Sequence, residues 1–504
     1  MPDRAVPHLT GVAPAPPMAM MPLGPLRPPM FWPEPPAPIG RPAVVGVLVA
    51  LVVAAVAFYP LSNGPGWLVI GIALAALATI RKPRGWSRIG WSLAAVALLA
   101  VPLIRDSGQL LLFCVAGAFA CGAVGAAGGR HLRAMAAAAI LVVPAGIAAL
   151  PWWAGGVRTG AAGRSLVRPA LTAAVVVGLV LVFGGLFTAA DPAFADLVRT
   201  GTPTLRSGDL GRVILAVLLV LPVATGVAYL THGRSRLDRL SESRFPGVRR
   251  HEWAVPVAVL DMLFLTFVGV QIEVLFGGRD RVLRTAGLTY ADYARSGFWQ
   301  LLIVAGLTVA VITAGLKMAP KATRTDRVLV RTLLGTLALL TLVIVASAMH
   351  RMSVYDQAYG FTRLRLAVFV IEAWLGVVFL LILAAGLRLN GAWVPRAGLA
   401  AGVLALLVVA AVNPDRFIAD HNVERFERTG RIDMTYLCEL SADAVPALIR
   451  LPEPVRRRSS VPYGPGFSDG WRSWDLGRAT ARNALDEAGP GGAIACWPAN
   501  RLVS

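Results

Sequence analysis

Apolar residues occur along this chain in long blocks that contain few charges and are separated by shorter polar segments. The blocks lie at residues 43–59, 65–80, 88–104, 108–127, 134–153, 168–190, 212–231, 253–276, 297–316, 329–349, 364–387 and 397–412. An α-helix of ~20 residues, rising ~1.5 Å per residue, crosses a hydrocarbon core of ~30 Å. The pattern therefore predicts an all-α fold, a polytopic transmembrane helical bundle of 11–12 spans.

The Lys and Arg residues between the blocks indicate how many of them cross. If all twelve cross, the two faces carry 19 and 17 basic residues, which favours neither orientation. The block 134–153 is the weakest, since it is Ala-rich, contains Pro144 and Pro151, and is followed by three arginines. If this block is re-entrant or peripheral, one face carries 25 Lys and Arg residues and the other face carries 11. We therefore expect eleven crossings of a bacterial plasma membrane, with a cytoplasmic amino terminus and an extracytoplasmic carboxyl terminus; twelve crossings are the alternative.

One consequence is the same for either count. An even number of blocks separates the loops 191–211, 278–296 and 350–363 from each other and from the carboxyl-terminal tail. These four segments are therefore expected on one face of the membrane.

Composition divides the chain into four regions. Residues 1–41 are Pro-rich without apolar periodicity, which predicts a disordered tail. Residues 42–413 form the predicted bundle. Residues 414–458 predict a small helical extramembrane unit, because Asn413 and Pro414 match a helix start and Gly430 a helix stop. Residues 459–504 are expected to be a partly ordered tail.

The segment 350–363 is a polar, aromatic turn between two strongly apolar blocks. The tenth block can continue helically to about residue 358, with Gly360 as its stop and Thr362 as the cap of the next helix. A helix over 329–358 would be ~45 Å long, so the hairpin should stand clear of the hydrocarbon. An alternative is an aromatic belt with snorkelling arginines.

The net charge of +20 does not indicate nucleic-acid binding. Residues 414–504 hold 12 Arg and 12 acidic residues, so the excess lies entirely in residues 1–413. We interpret it as membrane topology and contact with lipid headgroups. The expected partners are membrane lipids and a membrane or envelope protein. We expect no cofactor and no metal, because the six histidines have no ligand spacing.

Three carboxylates lie within apolar blocks. Asp261 and Glu273 are in the eighth block and Glu372 is in the eleventh. A carboxylate at that depth must be paired, protonated or in contact with water, which makes each one a candidate functional residue. The structural alternative is an ion pair or hydrogen bond between helices.

The four cysteines form two pairs. Cys114 and Cys121 lie on one face of an apolar block and are expected to be buried thiols. Cys438 and Cys496 can form a disulfide if the tail lies outside the cytoplasm.

The hairpin and the tail together resemble a family of bacterial integral membrane proteins catalogued as domain of unknown function 4173, with 4153 as a near relative. The resemblance covers about residues 165–450 and is carried by Ala190–Phe194, Tyr355, Tyr359–Arg365, Asn413, Asp415, Asn422, Arg425, Gly430, Asp433, Tyr436, Leu437, Ser441, Asp443 and Ala444. It implies a helical membrane bundle and no particular activity.

Three classes of function are compatible with these features, and non-enzymatic ones are favoured. The first is a sensory, scaffold or assembly protein whose carboxyl-terminal unit docks on the 350–363 hairpin. The second is a proton- or ion-coupled transporter that uses Asp261, Glu273 and Glu372. The third is a membrane-embedded enzyme acting on lipid or envelope substrates, with Asp356 and Tyr359 beside Arg363. The candidate surface site comprises Arg351, Tyr355, Asp356, Tyr359, Arg363, Arg365, Asn413, Asp415, Asn422, Arg425 and Asp433.

Overall fold

A computed structural model describes residues 41–57, 64–79, 86–128, 131–149, 207–232, 248–276, 298–388, 391–456 and 474–489. Apolar helices dominate this part of the chain. They are α1 (Arg41–Ala57), α2 (Pro65–Thr79), α3 (Trp86–Ile104), α4 (Gly108–Ala127), α5 (Leu132–Ala148), α6 (Ser207–His232), α7 (Arg250–Phe276), α8 (Phe298–Met318), α9 (Arg324–Tyr359), α10 (Arg363–Arg388) and α11 (Val394–Val412).

The helices confirm the all-α polytopic bundle. Among the described helices, α3, α4 and α7 to α11 are long and apolar enough to cross a membrane, and α1, α2, α5 and α6 contain shorter apolar stretches. The predicted block 168–190 lies outside the described residues, as do the tail 1–40, the segments 191–206 and 278–296, and most of 459–504.

The segment 134–153 is described up to residue 149, and whether it crosses the membrane stays a prediction. Its described part belongs to the continuous helix α5, which packs tightly against α6. A Cβ atom added to Gly226 would lie 1.9 Å from the carbonyl oxygen of Val142, and one added to Gly146 would lie 2.0 Å from that of Pro222. The two backbones therefore touch, and the order of these pairs makes the helices antiparallel. Gly146 and Gly226 allow an approach that larger residues would block.

Contacts between helices give the relative directions of several of them. α7 and α9 are parallel, since Arg250 hydrogen-bonds Asp326 near the start of both and Ser347 donates to Gln271 (3.4 Å) further along. α3 and α11 end together, where Arg105 Nε donates to the carbonyl oxygen of Ala410 (2.7 Å). These relations are the ones expected if the described helices alternate in direction between two faces of the bundle.

We call these the amino-terminal face, where α1 begins, and the carboxyl-terminal face, where α11 ends. The turn 105–107 between α3 and α4 lies on the carboxyl-terminal face together with the 360–362 turn. The expected eleven crossings stay a prediction: seven of the described helices are long and apolar enough to cross, and the block 168–190 lies outside the described residues.

A compact helical unit covers the carboxyl-terminal face. It contains α12 (Pro414–Thr429), the short helices α13 (Met434–Leu437), α14 (Val445–Leu448) and α15 (Glu453–Arg456), a 3₁₀ turn at Ala442–Ala444, and α16 (Leu476–Ala488). Its core includes Ile418, Val423, Leu437 and Leu448, all almost fully buried. We call α12 to α16 the carboxyl-terminal unit; α16 comes from the region predicted as a partly ordered tail.

Candidate functional site

The helix that leads into the 350–363 hairpin is longer than a membrane crossing requires. α9 has 36 residues, or ~54 Å, against a core of ~30 Å. A reciprocal capping box between Thr323 and Asp326 starts it, and Gly360 ends it with a φ of 85°. Thr362 Oγ1 then accepts a hydrogen bond from the backbone N–H of Arg365 (3.4 Å), which caps α10.

Gly360 is needed at the hairpin because α12 approaches it closely. A Cβ atom there would lie 2.2 Å from Asn422 Oδ1, and the positive φ favours glycine independently. The Asn422 amide donates to the carbonyl oxygen of Phe361 (3.0 Å). The Asn422 side chain of α12 is therefore bonded to the backbone of the hairpin at this point, next to Arg425.

The strongest contact between the hairpin and the carboxyl-terminal unit is a two-pronged ion pair. Arg363 Nε and Nη2 donate to the two oxygens of Asp415 (2.7 and 2.5 Å), and Nη1 donates to the carbonyl oxygen of Glu439 (2.9 Å). Asp415 is 0% exposed and also accepts from the backbone N–H of Ser441 (3.0 Å). The Tyr436 hydroxyl accepts from the backbone N–H of Arg363 (2.6 Å). This geometry links α10, α12 and the turn after α13.

Asp443 forms a second buried contact, with the α3–α4 turn. Its carboxylate accepts from the Asn413 amide (2.9 Å) and from the backbone N–H of Asp106 (3.0 Å), and Arg105 lies 3.8 Å away. Burial raises the pKa of Asp443, and these donors partly offset the effect. Asn413 holds a left-handed φ of 62° and caps α12 as predicted, by accepting from the backbone N–H of Arg416.

A third cluster lies at the end of α9. Arg365 hydrogen-bonds the carbonyl oxygen of Gly360, lies 3.9 Å from Asp356, and stacks 4.2 Å from the centroid of the Tyr355 ring. Tyr355 and Tyr359 are in contact, with ring centroids 4.9 Å apart. Burial raises the pKa of Asp356 to about 6, although Arg365 opposes this shift.

The other surface candidates have local roles. Arg351 points towards α7, where it hydrogen-bonds the side-chain oxygen of Gln271. Asp433 is exposed and caps α13 through the backbone N–H of Tyr436 (3.1 Å). The structure therefore brings Arg363 together with Asp415 and Arg365 together with Asp356, but it does not assemble Asp356, Tyr359 and Arg363 as one group.

The intramembrane carboxylates are in different surroundings. Asp261 is 8% exposed and Glu372 is 2% exposed. Within the described residues, both oxygens of Asp261 and Oε2 of Glu372 have no hydrogen-bond partner. The expected ion pair between helices is therefore not seen at these oxygens. Glu273 lies on α7, and its side chain is outside the described part of the structure.

The cysteines divide as the sequence indicated. Cys114 and Cys121 are buried free thiols on α4. Cys438 is disulfide-bonded. Its predicted partner Cys496 lies outside the described residues, so the pairing remains a prediction.

Sequence reasoning missed the contribution of the α3–α4 turn and of α16. Asp475 caps α16 through the backbone N–H of Arg478 (2.8 Å), and the Arg478 side chain lies 3.7 Å from Asp106. The available signal was the charged pair Arg105 and Asp106 in a turn of only three residues between two apolar blocks.

Comparison with known families adds one result. A family model described as "Domain of unknown function (DUF4153)" matches residues 93–451. The chain belongs to this family. The match includes the α3–α4 turn, the hairpin and α12 to α14, so both sides of the docking contact lie within the family domain. The sequence resemblance put the related family 4173 first and began near residue 165; the family shown is 4153, and the match begins within α3. No curated protein and no solved structure matches the chain.

Proposed function

We propose that this multi-pass protein is a sensory, scaffold or assembly protein of the bacterial plasma membrane. Its carboxyl-terminal unit is held on the bundle and presents a binding surface to another envelope protein. The observation that carries this proposal is the Arg363–Asp415 contact, in which a fully buried carboxylate joins the unit to the hairpin.

The docking contact favours a mechanical role over catalysis. Arg363 uses Nε, Nη1 and Nη2 on Asp415 and Glu439, which leaves it poorly placed to bind a lipid headgroup. Asp356 pairs instead with Arg365, and Tyr359 packs on Tyr355. The arrangement required by the enzyme alternative is therefore not assembled, whereas a rigid attachment suits a scaffold.

Two features support an extracytoplasmic position for the carboxyl-terminal unit. If each connecting segment before α12 other than 150–206, which lies outside the described residues, is assigned to the face where its flanking helices end, the amino-terminal face carries 22 Lys and Arg and the opposite face 9. The positive-inside rule then makes the amino-terminal face cytoplasmic. A disulfide at Cys438 also suits an oxidising compartment.

The outward side of α12 favours a protein partner. Glu424, Glu427 and Arg428 of α12 and Arg431 just beyond its end are all exposed, so groups of both signs lie within eight residues. Anionic lipid surfaces attract clusters of basic residues. A surface of mixed sign is better matched by a partner protein with complementary charges.

Photo-crosslinking in living cells tests this proposal. A photoreactive amino acid at Glu427 in the full-length protein should give a discrete adduct with one envelope protein, identified by mass spectrometry. The adduct should be lost when Glu424 and Arg428 are reversed in charge, and should persist in Asp261→Asn and Glu372→Gln. An adduct that survives the charge reversal, or that disappears in the two carboxylate variants, would contradict a scaffold built on this surface. A probe at Trp86, exposed on the amino-terminal face, is the matched position that should not give the adduct.

A further inference from the structure

Buried polar side chains follow α9 through the group formed by α7 to α10. Thr341, Ser347 and Asp356 are buried on α9, and Gln271 is buried on α7. Ser347 and Arg351 both hydrogen-bond Gln271, which places this cluster about two turns below the end of α9. A polar series of this kind is costly in a membrane and usually serves ion or proton movement.

Asp261 continues this series deeper into the membrane. On α7 the buried positions 253, 257, 261, 264, 268 and 271 recur every three or four residues and form one face. Asp261 therefore shares the face of Gln271, ten residues or ~15 Å nearer the amino-terminal face. Because α7 and α9 are parallel, Asp261 lies level with the region of Leu337 and Thr341.

Glu372 lies at about the level of Gln271 and Ser347. On α10 the buried residues Val368, Glu372, Leu375 and Phe379 form one face. Gly376 on the same side approaches the side chains of Val345 and Leu342 of α9. Glu372 is one helical turn nearer the carboxyl-terminal face than Gly376. It lies nine residues, or ~14 Å, from the start of α10.

The charged groups around Glu372 are few. From α9 they are Arg351, which is bonded to Gln271, and Asp356; from α7 they are Asp261 and Glu273. The charged residues of α8 and α11 are Lys317 and Arg396, each at the amino-terminal face. An ionised Glu372 would therefore be held without an adjacent cation among the described groups, which hydrocarbon disfavours strongly.

We propose that Glu372 is a proton-binding site inside the membrane, with Asp261 as a second and deeper site. Protons reach both from the carboxyl-terminal face through Asp356 and the Gln271–Ser347–Arg351 cluster. In the binding step a hydronium ion gives its proton to the Glu372 carboxylate, which leaves a neutral carboxylic acid and water. This site is independent of the scaffold proposal and is what the transporter alternative would require.

Infrared spectroscopy of the full-length protein in lipid nanodiscs tests the proposal directly. A protonated carboxyl group absorbs at a C=O stretching frequency distinct from that of a carboxylate. At neutral pH the wild type should show this absorption, Glu372→Gln should lose one component, and Asp261→Asn should lose another. Glu424→Gln, at an exposed carboxylate, is the matched control and should change nothing in this region. A spectrum of Glu372→Gln that keeps the full protonated-carboxyl absorption would overturn the proposal. If Glu372→Gln does not insert, Glu372→Asp keeps a carboxyl group and should shift the component, and an unshifted band counts against the site.

The route is tested by exchange into D₂O. The protonated-carboxyl band shifts when its proton is replaced, so the rate of the shift reports access. Gln271→Leu disrupts the polar cluster at the level of Glu372 and should slow the exchange at least several-fold. Gln300→Leu, at an exposed glutamine on α8, should leave the rate unchanged. Equal rates in wild type and Gln271→Leu would overturn entry from the carboxyl-terminal face.

Discussion

Removal of the Asp415 carboxylate should release the carboxyl-terminal unit from the hairpin while the membrane bundle stays folded. Loss of one partner from a buried ion pair costs about 3–5 kcal/mol, because the remaining charge stays buried without compensation. Here Asp415 is 0% exposed, and the Arg363 side chain is 26% exposed. A change of about 1.4 kcal/mol alters an equilibrium tenfold. Asp415→Ala should therefore raise the undocked fraction by roughly 10²- to 10⁴-fold.

Hydrogen–deuterium exchange with mass spectrometry measures this change by region. In Asp415→Ala the amides of α12 to α14 should exchange faster, while those of α3 and α4 keep their wild-type protection. Arg363→Lys should have a smaller effect, since it keeps the charge but loses the two-pronged geometry. The double variant Arg363→Ala with Asp415→Ala should be less damaged than the sum of the single variants, because the two groups interact directly.

The matched control is Arg416→Ala on the same helix. Arg416 lies 3.7 Å from Asp420 across one helical turn, and its side chain is 50% exposed. Exposed pairs of this kind contribute about 0.3–0.5 kcal/mol. If Asp415→Ala exchanges no faster in α12 than Arg416→Ala, the Arg363–Asp415 pair does not hold the unit in place.

Three further predictions concern other parts of the chain. Gly226→Ala puts a Cβ atom 1.9 Å from a backbone carbonyl oxygen, so it should destabilise the α5–α6 contact by about 1–3 kcal/mol or prevent insertion. Gly269→Ala, where a Cβ atom meets open space, is the control and should leave the melting temperature in thermal-shift assays unchanged. The pKa of Asp356 rises from 3.8 to about 6 on folding, so the folded state binds a proton that the unfolded state has lost, and wild-type stability should fall as pH rises from about 4 to about 6. Asp356→Asn should flatten this dependence of stability on pH. An unchanged slope in the variant would exclude Asp356 as its source. Peptide mapping without reduction should recover Cys438 linked to Cys496, and Cys496→Ser should expose a thiol to maleimide; fully reduced Cys438 in intact cells would argue against an extracytoplasmic unit.

Local sequence signals predicted the helices and their ends well. Blocks of apolar residues fixed the membrane character, and the starts and stops at Thr362, Asn413, Gly360 and Gly430 follow from capping and backbone chemistry that acts within a few residues. The number of residues in α9 is also a local property, and it predicts that the hairpin lies outside the hydrocarbon.

The packing of α5 could not be predicted from the local sequence. Pro144 and the alanine-rich composition suggested a weak element, but a helix on the surface and a helix against a partner can share one composition. The fit between α5 and α6 depends on Gly146 meeting Pro222 and Gly226 meeting Val142, pairs separated by about 80 residues.

The sequence by itself determined that this is an α-helical membrane protein and where most of its helices begin and end. It also determined which carboxylates lie within apolar helices. These properties depend on neighbouring residues and on the thickness of a bilayer. Tertiary structure alone decided the partners: Arg363 binds Asp415, Asp443 binds the α3–α4 turn, and Asp261 and Glu372 have carboxylate oxygens without hydrogen-bond partners among the described residues. Such pairings join residues up to 337 positions apart, and spacing along a chain carries no information about which distant groups folding brings within hydrogen-bond distance.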